Sequence, residues 1–301
     1  MTISYAFVAL AAAVSTAQAH FTFARVRQNG EWLEPTRYIR NKTSPFTERD
    51  SPDTNYHVRL YNAPTYAVTD WPASVRCGRD NMAHADDTEV LTIRAGDKLE
   101  FAHQRSDPEW PPEMWNNCPL DRGSCQFADW NPTGVVDLNH KGPFMVHLSK
   151  VPEGQDIHSY DGSGDWVKIY SLGFDLRNES QTIHWIPWND EGIPAPFAFN
   201  VPKETPAGDY LLRADLVNTG VFEFNFTSFP AELYPSCLQI HVESGFEGTL
   251  PEGIKIPEDL MHESPGMRTS LAMYQDKKVD KDYVYPGGLL WTGTDMVADK
   301  P

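Results

Sequence analysis

Basic residues are scarce in this chain. Its 301 residues include 25 Lys and Arg against 42 Asp and Glu, a formal net charge of −17. So acidic a surface repels phosphate backbones and anionic headgroups, which argues against nucleic acid and membrane surfaces as partners. Cysteine is sparse too: Cys77, Cys118, Cys125 and Cys237 make four, and none forms a Cys-x-x-Cys pair of the kind zinc sites use. Beyond the first residues, no apolar run approaches the ~20 positions that a spanning helix needs. The polar ending TDMVADKP is unlike the hydrophobic tail of a lipid-anchor signal. Repeats, low-complexity linkers and a sustained 3.6-residue apolar period are also missing, which argues against helical bundles and arrays.

One apolar run is present, and it opens the chain. Residues 5–14, YAFVALAAAV, are uncharged and too short to span a bilayer, and the STAQA that follows ends in a small-x-small pattern. Lys and Arg are lacking before it. We read residues 1–19 as a secretion signal peptide cut after Ala19, and the protein as extracellular. In that oxidising setting an even cysteine count implies two disulfides. Four cysteines allow three pairings. Cys118 and Cys125 bracket the turn-rich PLDRGS and can close locally, which leaves Cys77 for Cys237. In the chain-entropy model the long loop is worth about 5 kcal/mol and the short one about half that. Asn41, Asn178 and Asn225 begin glycosylation sequons, in keeping with secretion.

Short alternating runs fill the rest. FTFARVR, TEVLTIRAGDKLEFAH, GDWVKIYSLGF, FAFNVP, DYLLRADLV and CLQIHV read as strands, with RAGDK as a hairpin turn and YHVRLY as a further strand. The fold class expected is all-β: an antiparallel, immunoglobulin-like or fibronectin-like β-sandwich with long loops, in a single domain over 20–301 with no appended carbohydrate-binding module. The longest loop, 104–139, carries Trp110, Trp115 and Trp130. Indoles stack on sugar rings, so this loop is expected to help set substrate choice.

Cleavage after Ala19 would change the chemistry of His20. A terminal histidine offers a metal its ring nitrogen and its α-amino group, whose pKa near ~7.8 lets it deprotonate readily. The two can chelate one ion, and a third nitrogen from a distant histidine would complete a planar set that suits Cu(II). His140, in the H-x-G-P of LNHKGPFMVHL, and Tyr234, in the YPSC of AELYPSCLQIHV, are the settings in which such partners stand.

Taken with GDWVKI, IPAPFAFNVPKETPAGDYLLR and the ending GIKIPEDL, SPGM and YVYPGG, these motifs resemble the fungal copper-dependent lytic polysaccharide monooxygenases of auxiliary activity family nine. The resemblance spans essentially the whole mature chain. It implies that His20 supplies amine and Nδ1 to one copper ion, that His140 supplies the third nitrogen, and that Tyr234 stands in the weak axial position. It also implies a Cys77–Cys237 disulfide, a polysaccharide substrate, an external electron donor and a monomer. The implied chemistry is oxidative cleavage of glycosidic bonds in cellulose or hemicellulose, driven by a reductant and O2 or H2O2. No acid–base carboxylate pair is needed, unlike glycoside hydrolysis.

Two positions depart from the family. Glu232 stands where a glutamine is usual, two residues before the tyrosine. Counting seven residues from Arg213 reaches Gly220, where a histidine is usual. The expected result is a carboxylate that favours Cu(II) and the loss of a proton donor, with His147 on the wrong strand face to compensate. His57, His84, His103, His158, His184, His241 and His262 are read as surface or structural. The departures leave open a second reading, a secreted copper-binding protein of the same fold with little cleaving activity.

Overall fold

The structure is a computed structural model that describes residues 21–42, 63–104, 140–177, 182–187, 196–225 and 228–301. His20, His57, Cys118, Cys125, Asn178, the three tryptophans of the long loop and the strand expected at YHVRLY lie outside the described residues.

In chain order the elements are β1 (Thr22–Gln28), β2 (Glu31–Trp32), α1 (Pro72–Cys77), β3 (Leu91–Arg94), β4 (Lys98–Gln104) and β5 (Phe144–Lys150). They continue with β6 (Val167–Leu172), β7 (Phe174–Arg177), β8 (Thr182–Trp185), β9 (Phe197–Asn200), β10 (Gly208–Asn218), β11 (Gly220–Val221) and β12 (Glu232–Leu233). The last are β13 (Ser236–Glu243), β14 (Arg268–Thr269), α2 (Leu271–Tyr274), β15 (Leu290–Trp291) and β16 (Met296–Val297).

Two sheets face each other. The smaller runs β2-β1-β4-β9; the larger runs β16-β15-β6-β5-β10-β13-β3, with β12 added along β10. Alternation decides what lies between them: Phe23, Val26, Leu99, Phe101, Phe197 and Phe199 point inward from the first sheet, and meet Phe144, Val146, Leu212, Leu238 and Ile240 from the second. Edge-to-face rings fill the middle, with Phe23 and Phe144 centred 5.4 Å apart. The expected β-sandwich is present. Its pairing is mainly antiparallel, but β3 joins β13, and β15 joins β6, in parallel.

The hairpin expected at RAGDK does not form. β3 pairs with β13 in the larger sheet and β4 with β1 in the smaller, so the turn carries the chain from one sheet to the other. The turn itself is as its residues predict: Asp97 closes on the Arg94 carbonyl, and Gly96 takes φ +97°. What alternation cannot say is which partner each strand takes.

β5 and β10 are buried on both faces. Met145, Leu211 and Val217 point away from the sandwich core into a second cluster, under α1, Trp166 and Ile256. Polar residues are caught there too. Arg213 and Asp215 pair at 2.7 Å with both side chains fully buried, and Cys77 of α1 is disulfide-bonded to Cys237 of β13. The tail returns across this face: Trp166 and Ile254 exchange backbone hydrogen bonds, and buried Lys168 pairs with Asp299 at 2.7 Å. No helix among the described residues is long and apolar enough to cross a membrane.

Candidate metal centre

The H-x-G-P motif is a clamp on the end of β10. A Cβ on Gly142 would overlap the Val217 carbonyl, so only glycine lets the two backbones come this close. Val217 N–H donates to the Pro143 carbonyl, and Thr219 N–H to the Lys141 carbonyl, at 3.0 Å each. Lys141 also pairs with Asp276 beyond α2. His140 is thereby held beside the last residues of β10 with its ring buried.

Tyr234 reaches the same point from the other side. β12 pairs Val217 with Leu233 and Asn218 with Glu232. Past β12, the Tyr234 N–H donates to Asp215 Oδ1 at 2.6 Å, tying it to the buried ion pair. Its hydroxyl lies 2.7 Å from His140 Nε2, and the two rings stack with centres 5.2 Å apart. Phe21, fully buried and directly after His20 in the chain, stacks on the Tyr234 ring at 4.7 Å and 15°. Burial, and then the Glu232 carboxylate, pushes the Tyr234 phenol well above its ordinary value, so it keeps its proton through the neutral range.

Glu232 gathers donors. Oε2 accepts from Asn218 Nδ2 at 2.9 Å and from the Tyr234 hydroxyl at 3.2 Å. Oε1 accepts from the Tyr66 hydroxyl at 3.3 Å, and the carboxylate stands 3.6 Å from His140 Nε2. Tyr66 is placed by its neighbours: Thr65 bridges to Leu233, while Asp70 takes the Tyr66 N–H and a salt bridge from Arg79 at 2.7 Å. Asn218 is held in turn, its Oδ1 accepting from the Tyr274 hydroxyl at 3.2 Å.

The structure thus brings His140, Tyr234 and Glu232 together, and leaves Gly220 apart. Gly220 lies in β11 against Arg268 of β14, and a Cβ there would meet His262 Cε1 at 2.8 Å and Ala231 N at 3.1 Å. His262 fills the space a side chain at 220 would need. Asn218, two residues earlier, is the one that faces Glu232. Counting along the chain missed Asn218, Tyr66, Tyr274 and Phe21; the strand register at 218 and 232 is the signal that finds the first. His147 lies on the other face of β5 with Met145, bonded to the Gly287 carbonyl at 3.1 Å, and burial followed by the Arg213 and Lys168 charges holds it neutral. His103 is enclosed by Phe21, Phe23 and Phe197. His158 and His241 are paired on the surface with Asp156 and Asp209.

Residues 20–283 match the sequence pattern of Auxiliary Activity family 9, formerly GH61. The chain belongs to that family. AA9 family lytic polysaccharide monooxygenase D of Emericella nidulans is 26% identical over 289 residues, covering 95% of this chain and 82% of the relative. Monooxygenase A of the same family from Schizophyllum commune is 25% identical, covering 94% and 93%. Among solved structures, CvAA9A superposes with a TM-score of 0.61 at 19% identity, covering 92% of this chain and all of that one. A cellulose-active polysaccharide monooxygenase from M. thermophila gives 0.53 at 19%, covering 91% and 100%. These likenesses show the fold, and the family makes this chain a polysaccharide-cleaving monooxygenase.

The family 9 site can be tested for metal on its own residues. His140, Tyr234 and Glu232 offer one imidazole nitrogen and two kinds of oxygen, donors that suit Cu(II). Among the described residues, no three His, Cys, Asp or Glu side chains gather closely enough to hold a metal unaided. The donor set fits a copper ion only if further nitrogen is supplied from outside these three side chains.

Proposed function

We propose that this family 9 enzyme is a secreted, monomeric, single-copper oxidoreductase that cleaves glycosidic bonds in plant cell-wall polysaccharide, using an external electron donor. In this reading, His20, freed by removal of residues 1–19, offers its amine and Nδ1. His140 would offer the third nitrogen and the Tyr234 hydroxyl a further, weaker oxygen contact. The observation that supports it best is the stacking of Phe21 on Tyr234 beside His140, since consecutive Cα atoms are only 3.8 Å apart. The family match also starts at residue 20.

Copper, when bound, supplies the one-electron chemistry that activates O2 or H2O2 for attack on a glycosidic carbon. The protein's own contributions are orientation and charge. His140 is fixed by the Gly142 clamp, Tyr234 stays protonated, and the Glu232 carboxylate sets a negative charge 3.6 Å from the imidazole, which favours the more highly charged copper state. Phe21, backed by Phe23, covers one face of the Tyr234 ring and keeps water from it.

Three measurements test the reading. N-terminal sequencing of secreted protein should begin at His20. Calorimetry should find one copper, with binding strongly weakened by His140→Ala or by one residue added before His20, and retained in Tyr234→Phe. Copper-loaded enzyme with ascorbate and a polysaccharide panel should release oxidised oligosaccharides by mass spectrometry. Full copper affinity in the extended form would refute the ligand assignment.

A further inference from the structure

Three phenylalanines are exposed among the described residues, Phe222, Phe224 and Phe246, and two of them stand on one turn after β11. Phe222 is 54% exposed and Phe224 41%. The turn is pinned in place. Phe222 N–H donates to the Thr269 carbonyl at 2.9 Å and Phe224 N–H to the Val221 carbonyl at 3.1 Å, while the Glu223 carboxylate accepts the Leu271 N–H of α2 at 2.9 Å. The Arg268 guanidinium lies over the Phe222 ring, 4.9 Å from its centre, and the Phe229 ring is centred 5.9 Å from that of Phe224. Apolar rings fixed in contact with water mark a surface that something else covers.

The next residue is Asn225, which opens the sequon Asn225-Phe226-Thr227. It is exposed, and its backbone belongs to the same turn: the Ser228 and Phe229 N–H groups both donate to its carbonyl at 3.0 Å. Three residues span about 10 Å at most when fully extended, so a sugar on Asn225 starts beside Phe224 and within reach of Phe222. A pyranose ring presents a face of C–H groups, whose hydrogens are drawn to the negative face of an aromatic ring. Asn41 lacks this setting, being half-buried beside buried Lys42. The third sequon asparagine, Asn178, lies outside the described residues.

We propose that Asn225 carries an N-linked glycan whose first N-acetylglucosamine lies on Phe224 and Phe222, so that a modification made during secretion covers the patch. The proposal rests on the reading that the chain is secreted. The bond comes from a lipid-pyrophosphate-linked oligosaccharide: Asn225 Nδ2 attacks the anomeric carbon and gives up one proton, and the lipid pyrophosphate leaves. Sugar and rings then shield one another, and stripping the glycan returns that apolar surface to water. The patch is also joined to the candidate metal centre. Phe229 meets Tyr274 edge-on at 5.0 Å, and the Tyr274 hydroxyl reaches Asn218 at 3.2 Å. Polysaccharide binding is therefore measured beside occupancy, since the same rings could serve a substrate.

The test uses the full chain expressed in a fungal host. Peptide mass mapping of the secreted protein should find a glycan on Asn225 in most molecules. NMR of the labelled glycan should show the N-acetyl methyl of the first sugar moved upfield by ring currents. In Phe222→Leu with Phe224→Leu, two exposed changes that keep apolar bulk and should fold, that signal should return to its free-glycan position. Removing the glycan by Asn225→Gln or by Thr227→Ala should lower the melting temperature by a few degrees, and by much less where both rings are leucine. Trimming it to one sugar should leave the melting temperature unchanged. A secreted chain with Asn225 bare would overturn the proposal, as would an N-acetyl methyl at the free position in the natural chain. Asn225 bare together with polysaccharide binding weakened by the two leucines would overturn it in favour of a substrate platform. A chain retained in the cell with residues 1–19 uncut would overturn the secretion reading, and this one with it.

Discussion

Removing the Asp215 carboxylate should be the most damaging single change near the site. Arg213 Nη2 and Asp215 Oδ2 stand 2.7 Å apart with both side chains fully buried. Asp215 Oδ1 also receives the Tyr234 N–H, and Arg213 donates to the Arg76 and Val75 carbonyls of α1. Asp215→Ala leaves a guanidinium charge in the interior with only carbonyl partners, a loss of about 3–5 kcal/mol. For a domain of this size that corresponds to a drop of roughly 6–12 °C in melting temperature. The control is Glu89→Ala, which breaks the Arg37–Glu89 pair of similar length, 3.0 Å, between half-exposed side chains. A pair held in solvent like that contributes little to stability. Denaturant unfolding of the two variants separates burial from distance as the source of the energy. Arg213→Met with Asp215→Leu should recover part of the loss, since no charge remains, but not all: the α1 carbonyls lose their Arg213 donors at about 1–3 kcal/mol each, while the Tyr234 N–H keeps the Leu216 carbonyl at 3.2 Å. If Asp215→Ala costs no more than Glu89→Ala, the argument from desolvation is wrong.

Lys42 is buried, and that burial, followed by the Arg79 charge, lowers its pKa to about 7. Between there and the unfolded value the unfolded chain holds a proton that the folded chain has lost, so stability should rise with pH by about 1.4 kcal/mol per unit from this group. Lys42→Met should flatten that slope between pH 7 and 9 and stabilise the protein most at pH 6, as read by denaturant midpoints. Gly142→Ala should push the His140 segment off the Val217 carbonyl; lowered copper affinity together with a melting temperature several degrees lower is the expected pair of results, and an unchanged affinity would show that the clamp does not place His140.

Much of this was legible in the chain itself. Alternation in FTFARVR, KLEFAH and FAFNVP marked strands covered on one face, and those are β1, β4 and β9. It marked β10 less well, because Arg213 and Asp215 sit on a face that reads as solvent-facing yet lies under α1 and the returning tail. RAGDK had the right turn residues for a hairpin, and only the pairing partners, which are distant in sequence, decide that it crosses between sheets. At the site, motif spacing found His140, Tyr234 and Glu232, three residues that the structure sets within 3.6 Å of one another. Spacing led to Gly220 and not to Asn218, because the residue opposite Glu232 is set by strand register, which a count along one strand does not contain. Tyr66 and Tyr274 come from segments more than 40 residues away from Glu232 on either side, and no local pattern ties them to it.

Chain ends usually fray, and a frayed end is what an exopeptidase grips. Here Phe21 is wholly enclosed, and β1 begins with the very next residue. If secretion leaves His20 first, a protease that trims from the amino end would have one residue to hold before meeting the core, and freeing a second would mean pulling an aromatic ring out from between the sheets. The residue that such cleavage would leave at the end would thus be kept by the one behind it, and the durability of the site would become a property of core packing.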